Sequence, residues 1–213
     1  MSTGELTVVA IPENRFSDVI DHLRLNFFAD EPLNRAVGLC QRGDCHFELE
    51  QHCLQTLKQG YSRMLLDQKG MIAGTVLNGI VQKGEREEAE RRLAEMSDEK
   101  FKTIFGLLYK VNEKIDLFSK YNAEDLFECR ILSVDDRFRG KGLGNMLVKA
   151  SLETARNSCF KVFKADATGL FSQKVFLKHG FQVEAEIPYS EIDENIRPDP
   201  PHRALQLLVK ILD

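Results

Sequence analysis

Three short runs in this 213-residue chain carry residue types that do chemistry when they meet. The first is Arg139-Gly140-Lys141-Gly142-Leu143-Gly144, in which glycines alternate with cations. Glycine lets a backbone approach an anion closely, and a helix starting here would add the positive end of its dipole, so the run reads as a phosphate cradle. A nucleotide loop needs Ser or Thr after Gly-Lys, but Gly142 follows Lys141. A dinucleotide fingerprint needs a third glycine where Leu147 stands. The second run, Phe27-Phe28-Ala29-Asp30-Glu31-Pro32-Leu33-Asn34, closes a helical pattern with aromatics, carboxylates and a proline. Pro32 biases Glu31 out of helical geometry, and acids at the end of a helix oppose its dipole, so stability alone gives no reason for them. The third, Thr168-Gly169-Leu170-Phe171-Ser172, sets two hydroxyls before a helix, where Ser172 suits either an N-cap or a donor to a reacting atom.

These runs need elements to position them. Cys129, Ile131, Leu132 and Val134 read as a buried strand feeding the glycine run, and Leu143, Met146, Leu147, Ala150 and Thr154 mark the receiving helix over 142–157. Before them the patterning predicts a strand at 7–11, helices at 14–28 and 46–59, and a hairpin of 61–67 with 71–81 turning at Lys69-Gly70. A charge-rich helix face follows at 83–96, then one longer helix over 98–121 with Phe101, Ile104, Phe105, Leu108, Val111, Ile115 and Phe118 on one side. After them come a strand at 161–165, a helix at 170–179 stopped by Gly180, a strand from Phe181, a loop over 188–201 and a last strand at 204–211. Nothing repeats and no linker intervenes, so a single α/β domain spanning 1–213 is expected, with a helical insertion at about 83–121.

A net charge of −4 gives no basic field for nucleic acid or an anionic membrane. No apolar run approaches the ~20 residues of a membrane span, and the first residues lack a signal pattern, so a cytoplasmic protein is expected. Five cysteines at irregular spacing fit reduced thiols better than a disulfide framework. Cys40, Cys45, His46, His52 and Cys53 cluster in sequence without the paired spacing of a zinc site, so no metal is expected.

The pattern Arg139-x-x-Gly142-x-Gly144 resembles the pyrophosphate loop of the GNAT acetyltransferase superfamily, and Thr168 to Gly180-Phe181 resembles its second signature. The Phe-Phe-Ala-Asp-Glu-Pro-Leu-Asn run and the closing Pro201-His202 are similar to segments of insect arylalkylamine N-acetyltransferases, the dopamine N-acetyltransferase group. The resemblance implies the GNAT fold: a central mixed, mostly antiparallel twisted sheet of about seven strands flanked by helices on both faces. It implies acetyl-coenzyme A as co-substrate, held by Leu132, Ser133 and Val134 as a pseudo-strand partner, by Arg139 to Gly144 at the diphosphate, and by Ser172 near the sulfur. It implies Glu31 as general base, with Ser172 and Thr168 as further catalytic hydroxyls and the Val134 N–H as donor to the thioester carbonyl. Phe28, Glu31, Pro32, Tyr189 and His202 are expected around the acceptor, with Phe27 and Phe171 helping to shape an apolar slot. Many superfamily members protonate the leaving thiolate with a tyrosine, but Phe176 stands at that position here and cannot donate.

The expected reaction is direct attack of a small aromatic amine, of the dopamine, tyramine, octopamine, serotonin and tryptamine class, on acetyl-coenzyme A in a ternary complex. The amine arrives protonated, with a pKa near ~10, so a base must deprotonate it first. The protein is expected to act as a monomer or weak dimer. Two alternatives stay open: a polyamine, amino-acid, hydrazine or protein amine as acceptor, for which Glu191, Asp193, Glu194 and Asp199 leave room, or a coenzyme A binding module without turnover.

Overall fold

Two strands, β3 (Ile72–Gln82) and β4 (Asp125–Val134), form the spine of the molecule because both are apolar over most of their length. They pair antiparallel from Gly74 opposite Val134 to Gln82 opposite Asp125. Around them β1 (Thr7–Ala10), β2 (Arg63–Leu66), β5 (Val162–Ala167), β6 (Gln182–Pro188) and β7 (Ala204–Ile211) complete a seven-stranded sheet in the order β1-β2-β3-β4-β5-β7-β6. This computed structural model describes residues 6–212. Every neighbouring pair is antiparallel except β4 and β5, which are parallel and paired only from Phe127–Cys129 to Phe163–Ala165.

A bulge limits that parallel pairing. Leu77 lies opposite Ile131 and Asn78 opposite Cys129, which leaves Arg130 as the extra residue on β4. Its guanidinium lies over Gly79, where an added Cβ would sit 2.7 Å from Arg130 Cζ, and donates to Glu128, Thr56 and the Ile80 carbonyl. Past the bulge β4 and β5 diverge.

Each face of the sheet carries its own core. On one face α7 (Leu143–Asn157) and α8 (Leu170–Lys178) pack over Phe127, Phe163 and Leu208. Phe127, Phe160, Phe163, Phe176 and Phe181 meet there in tilted or edge-on contacts with centroids 4.7–5.3 Å apart, the geometry ring quadrupoles favour. On the other face lie α1 (Phe16–Asn26), α2 (Pro32–Val37), α3 (Phe47–Lys58), α5 (Glu99–Asn112) and α6 (Leu117–Tyr121), with α4 (Arg86–Glu95) preceding α5. The stretch expected as one helix over 98–121 is thus two. Asp116 ends the continuity by capping α6, its carboxylate accepting the Ser119 N–H at 3.1 Å. Helix α2 has no counterpart in the sequence reading, because it is too short to show a periodicity.

Helix α1 is fixed to β4 by a buried polar contact, His22 Nε2 to Ser133 Oγ at 3.1 Å. Burial holds the His22 imidazole down to about 4. Between pH 6.5 and 4 the unfolded chain therefore binds a proton there that the native protein refuses, and stability falls as pH falls through that window. In thermal melts His22→Gln, which keeps a donor for Ser133, is expected to flatten this slope, removing about 2 kcal/mol of pH dependence by pH 4.5. An unchanged slope would show that His22 is not held neutral.

Candidate active site

The divergence of β4 from β5 opens the sheet, and the opening leads into a cavity of about 790 Å3. Its floor is β4 and β5, and one end is the Phe27–Asn34 segment with Thr168 and Ser172. The far wall is α3 and α5, which present His52, Phe105 and Tyr109. These rings touch one another, His52 edge-on to Phe105 at 5.2 Å and Phe105 to Tyr109 at 6.1 Å.

Glu31 sits at that end for a local reason. After α1 the chain turns, with the Glu31 N–H donating to the Phe27 carbonyl at 2.9 Å, and Glu31 becomes the N-cap of α2 with φ −61° and ψ 134°. Pro32 at the first helical position enforces this. One carboxylate oxygen accepts the Asn34 N–H at 2.7 Å and the other accepts the Thr168 hydroxyl. These bonds and the α2 dipole favour the charged form. Burial opposes them and prevails, so the carboxyl lies above the ordinary glutamate range. The side chain nevertheless keeps an accessible face on the cavity. The neighbouring Asp30 turns outward and pairs with Arg139 at 2.9 Å.

The open edge of β4 carries free amides. The Asp135 N–H donates to Ala73 across the β3 pair, so by antiparallel alternation Ser133 also faces β3, while Leu132 and Val134 direct N–H and C=O into the gap. The Val134 carbonyl confirms this orientation by accepting from Arg139 Nε at 3.1 Å. The glycine run follows, with Gly140 and Gly142 at φ +75° and +82° and open space where a Cβ would stand. Gly142 is the N-cap of α7, and among the described residues no side chain caps that helix. An uncapped helix start behind two glycines is suited to an anion. Leu143 is buried beneath it, and Gly144 lies 3.5 Å from Val175 of α8, counted from the position of an added Cβ.

The cations of this loop divide their work. Arg139 is a brace: it donates to the Val134 carbonyl, to the Asn26 carbonyl at 2.9 Å and to Asp30. Arg137 grips Asp135 with two nitrogens. Lys141 donates to the Arg137 carbonyl at 3.1 Å over the Phe138 ring, and it is the loop cation without a carboxylate partner among the described residues.

The other residues named from sequence are spread around this centre. Ser172 lines the cavity on the same side of α8 as Phe176 and donates to the Gly169 carbonyl at 2.9 Å; the N-cap of α8 is Gly169. Phe28 is fully buried in the core, and it is Phe27 that reaches the cavity. Pro32 packs against Gly169, and with His202 it borders a separate, smaller cleft of about 280 Å3. His202 Nδ1 accepts the Leu170 N–H at 3.1 Å, capping α8, while its ring meets exposed Phe171 edge-on. Tyr189 is buried and donates its hydroxyl to the Thr168 carbonyl at 2.7 Å, which fixes the strand end behind Glu31 rather than the cavity wall. The sequence reading misses the α3 and α5 wall, because His52 and Phe105 sit at ordinary helix spacing and nothing in the pattern singles out Tyr109. Among the described residues no group of three His, Cys, Asp or Glu is arranged to hold a metal, and no helix is long and apolar enough to cross a membrane.

Residues 44–181, about two thirds of the chain, match the acetyltransferase (GNAT) family. The chain belongs to the GNAT acetyltransferases. Over 99% of this chain and 100% of the other it superposes with TM-score 0.95, at 46% identity, on arylalkylamine N-acetyltransferase 2 of Aedes aegypti. The fold is shared at 21% identity with the polyamine N-acetyltransferase of Drosophila melanogaster, TM-score 0.86 over 98% and 100% of the chains. It is shared at 15% identity with a Salmonella typhimurium protein solved with its cofactor acetyl-CoA, TM-score 0.57 over 99% and 95%. Enzymes of the family use acetyl-coenzyme A, and the acetyltransferase has the features that donor needs: an uncapped helix start, an open glycine turn and an unpaired strand edge beside them.

Lys141→Ala is expected to weaken coenzyme A binding about 3- to 10-fold in titration calorimetry, with a shallower salt dependence. Arg139→Ala is expected to cost about 1–2 kcal/mol of stability in thermal melts, because two carbonyls and Asp30 lose their donor. Unchanged affinity in Lys141→Ala would place the diphosphate elsewhere.

Proposed function

We propose that this acetyltransferase moves an acetyl group from acetyl-coenzyme A to the primary amine of a small arylalkylamine, with Glu31 as the base. The observation that carries the reading is the setting of Glu31: a carboxyl raised by burial at one end of an aromatic-walled cavity, beside the gap where β4 exposes its amides. A carboxyl closer to neutral pH is a better proton acceptor than an ordinary one, and it pairs with an incoming ammonium before taking its proton. The 46% identity to an arylalkylamine N-acetyltransferase supports the aromatic acceptor class.

Each remaining group then has a part. The Thr168 hydroxyl holds Glu31 by donating to it, and the Tyr189 hydroxyl holds Thr168 by donating to its carbonyl. The Val134 N–H, directed into the gap, supplies a donor where charge develops on the thioester oxygen. Phe176, buried at the cavity wall, excludes water from the sulfur but gives no proton. Ser172, one turn earlier on the same helix, is the O–H available for the departing thiolate once it leaves the Gly169 carbonyl.

The acidic residues that kept a polyamine open in the sequence lie outside the cavity lining: Glu191, Asp193 and Glu194 are exposed, and Asp199 borders the smaller cleft. A coenzyme A binding module without turnover would have no use for a buried glutamate held in place by Thr168 and Asn34 at the mouth of an acceptor cavity.

Glu31→Gln, which keeps the cap on α2, is expected to lower kcat about 100-fold or more and to remove the rising limb of the pH–rate profile for tyramine. Thr168→Val removes a bond that favours the charged carboxylate, so the rising limb is expected to move to higher pH. An unmoved limb in both variants would take Glu31 out of the base role.

A further inference from the structure

Beyond Thr168, which holds Glu31, the face of β5 carries a second polar group that the reaction does not use. Lys164, Asp166 and Thr168 are alternate residues, so they share one face of β5 and its continuation, and Asp166 stands about 7 Å from Thr168 at ~3.4 Å per residue. Lys164 Nζ donates to Glu128 at 2.7 Å, to Asn112 Oδ1 at 2.8 Å and to Asp166 Oδ2 at 3.1 Å. Asn112 of α5 returns a bond to Asp166 Oδ2 at 2.8 Å, and Arg130, the bulge residue, donates to Glu128 at 2.9 Å. Glu128, Arg130, Lys164, Asp166 and Asn112 all line the cavity. Asp166 Oδ1 is buried and has no hydrogen-bond partner among the described residues.

Such a group is costly to maintain. An unpaired buried acceptor is destabilising, and the desolvation of an interconnected set of buried charges can exceed what their attraction returns. An apolar floor would serve a plain phenyl ring better. The formal charges of these four also cancel, Glu128 and Asp166 against Lys164 and Arg130, so they offer no net attraction to a second ammonium, whose own desolvation is costly. A hydroxyl brings a donor at far smaller desolvation cost and needs no counter-charge. The soft torsion of an Asp carboxyl lets its unpaired oxygen meet one.

We infer that Asp166, held by Lys164 and Asn112, is the specificity determinant of the acceptor cavity, accepting a hydrogen bond from a hydroxyl on the aromatic ring of the amine. The inference rests on the arylalkylamine reading above. With the amine at Glu31 and the ring beside Phe105 and Tyr109, the far edge of a phenylethylamine reaches the level of Asp166. The cavity therefore ranks ring-hydroxylated amines above unsubstituted ones.

Tyramine, phenethylamine and spermidine, assayed by thiol release from acetyl-coenzyme A with the full chain, test this. The wild-type kcat/KM for tyramine is expected to exceed that for phenethylamine about 10-fold or more. Asp166→Ala is expected to collapse that ratio toward one, and Asp166→Asn, which keeps an acceptor oxygen, to restore part of it. A structural defect lowers both amines together and leaves the ratio intact, so a preserved ratio in Asp166→Ala overturns the inference. Equal wild-type efficiency for the two aromatic amines overturns it as well while leaving the arylalkylamine reading standing. Turnover of spermidine with neither aromatic amine accepted overturns that reading, and the inference with it.

Discussion

The short parallel pairing of β4 with β5 is the constraint on which the site depends. Three residues on each strand hold the two together, and the Arg130 bulge then sends β4 away. A continuous ladder would satisfy the amides of Leu132 and Val134 and close the floor of the cavity. Broken where it is, it leaves backbone donors beside a glycine turn and gives access to the face under which the acceptor wall is built. Backbone polar groups are nearly always satisfied in folded proteins, so an unpaired strand edge in the middle of a sheet is an invitation to another extended chain. The peptide-like amides of a pantetheine arm have that form.

Opposing forces act on Glu31. A helix N-terminus, a backbone N–H and a hydroxyl all favour the anion, whereas removal from water disfavours it. The balance lies with burial, so the carboxyl that starts α2 as its cap is also the group to which the proposed reaction assigns the proton. Structural and chemical demands therefore coincide: the group cannot move without unwinding the helix it begins.

Much of this was legible in the sequence. The alternating glycines, the acid before proline and the Thr168 to Ser172 segment are local, and a local pattern survives in one dimension. The boundaries of the last strand, 204–211, were legible for the same reason. What escaped was whatever depends on distant partners. Arg139 looked like a phosphate ligand because nothing in its neighbourhood reveals that Asn26 and Asp30 lie beside it. Phe27 and Phe28 differ in which one turns inward at the end of α1, a choice fixed by the turn and not by residue type. The sequence reading ends this strand at 165 and leaves Asp166 outside it, since charged residues argue against burial until their partners on β4 and α5 are known. Helix α2 was hidden by its length, and the aromatic wall because α3 and α5 show ordinary amphipathic spacing.

The two cores on opposite sides of the sheet bear on how such a molecule can diversify. The parts proposed to face the coenzyme, α7, α8 and their glycine turn, pack on one side, while α3 and α5, which line the cavity proposed for the second reactant, pack on the other. Arg139 ties the seam between them through carbonyls, whose identity does not change with side chain. Replacements on α3 or α5 can therefore accumulate without disturbing the register of the donor half. A lineage built on this plan is free to exchange one nucleophile for another by reshaping a single layer, and duplicated copies can diverge in diet while conserving their reagent.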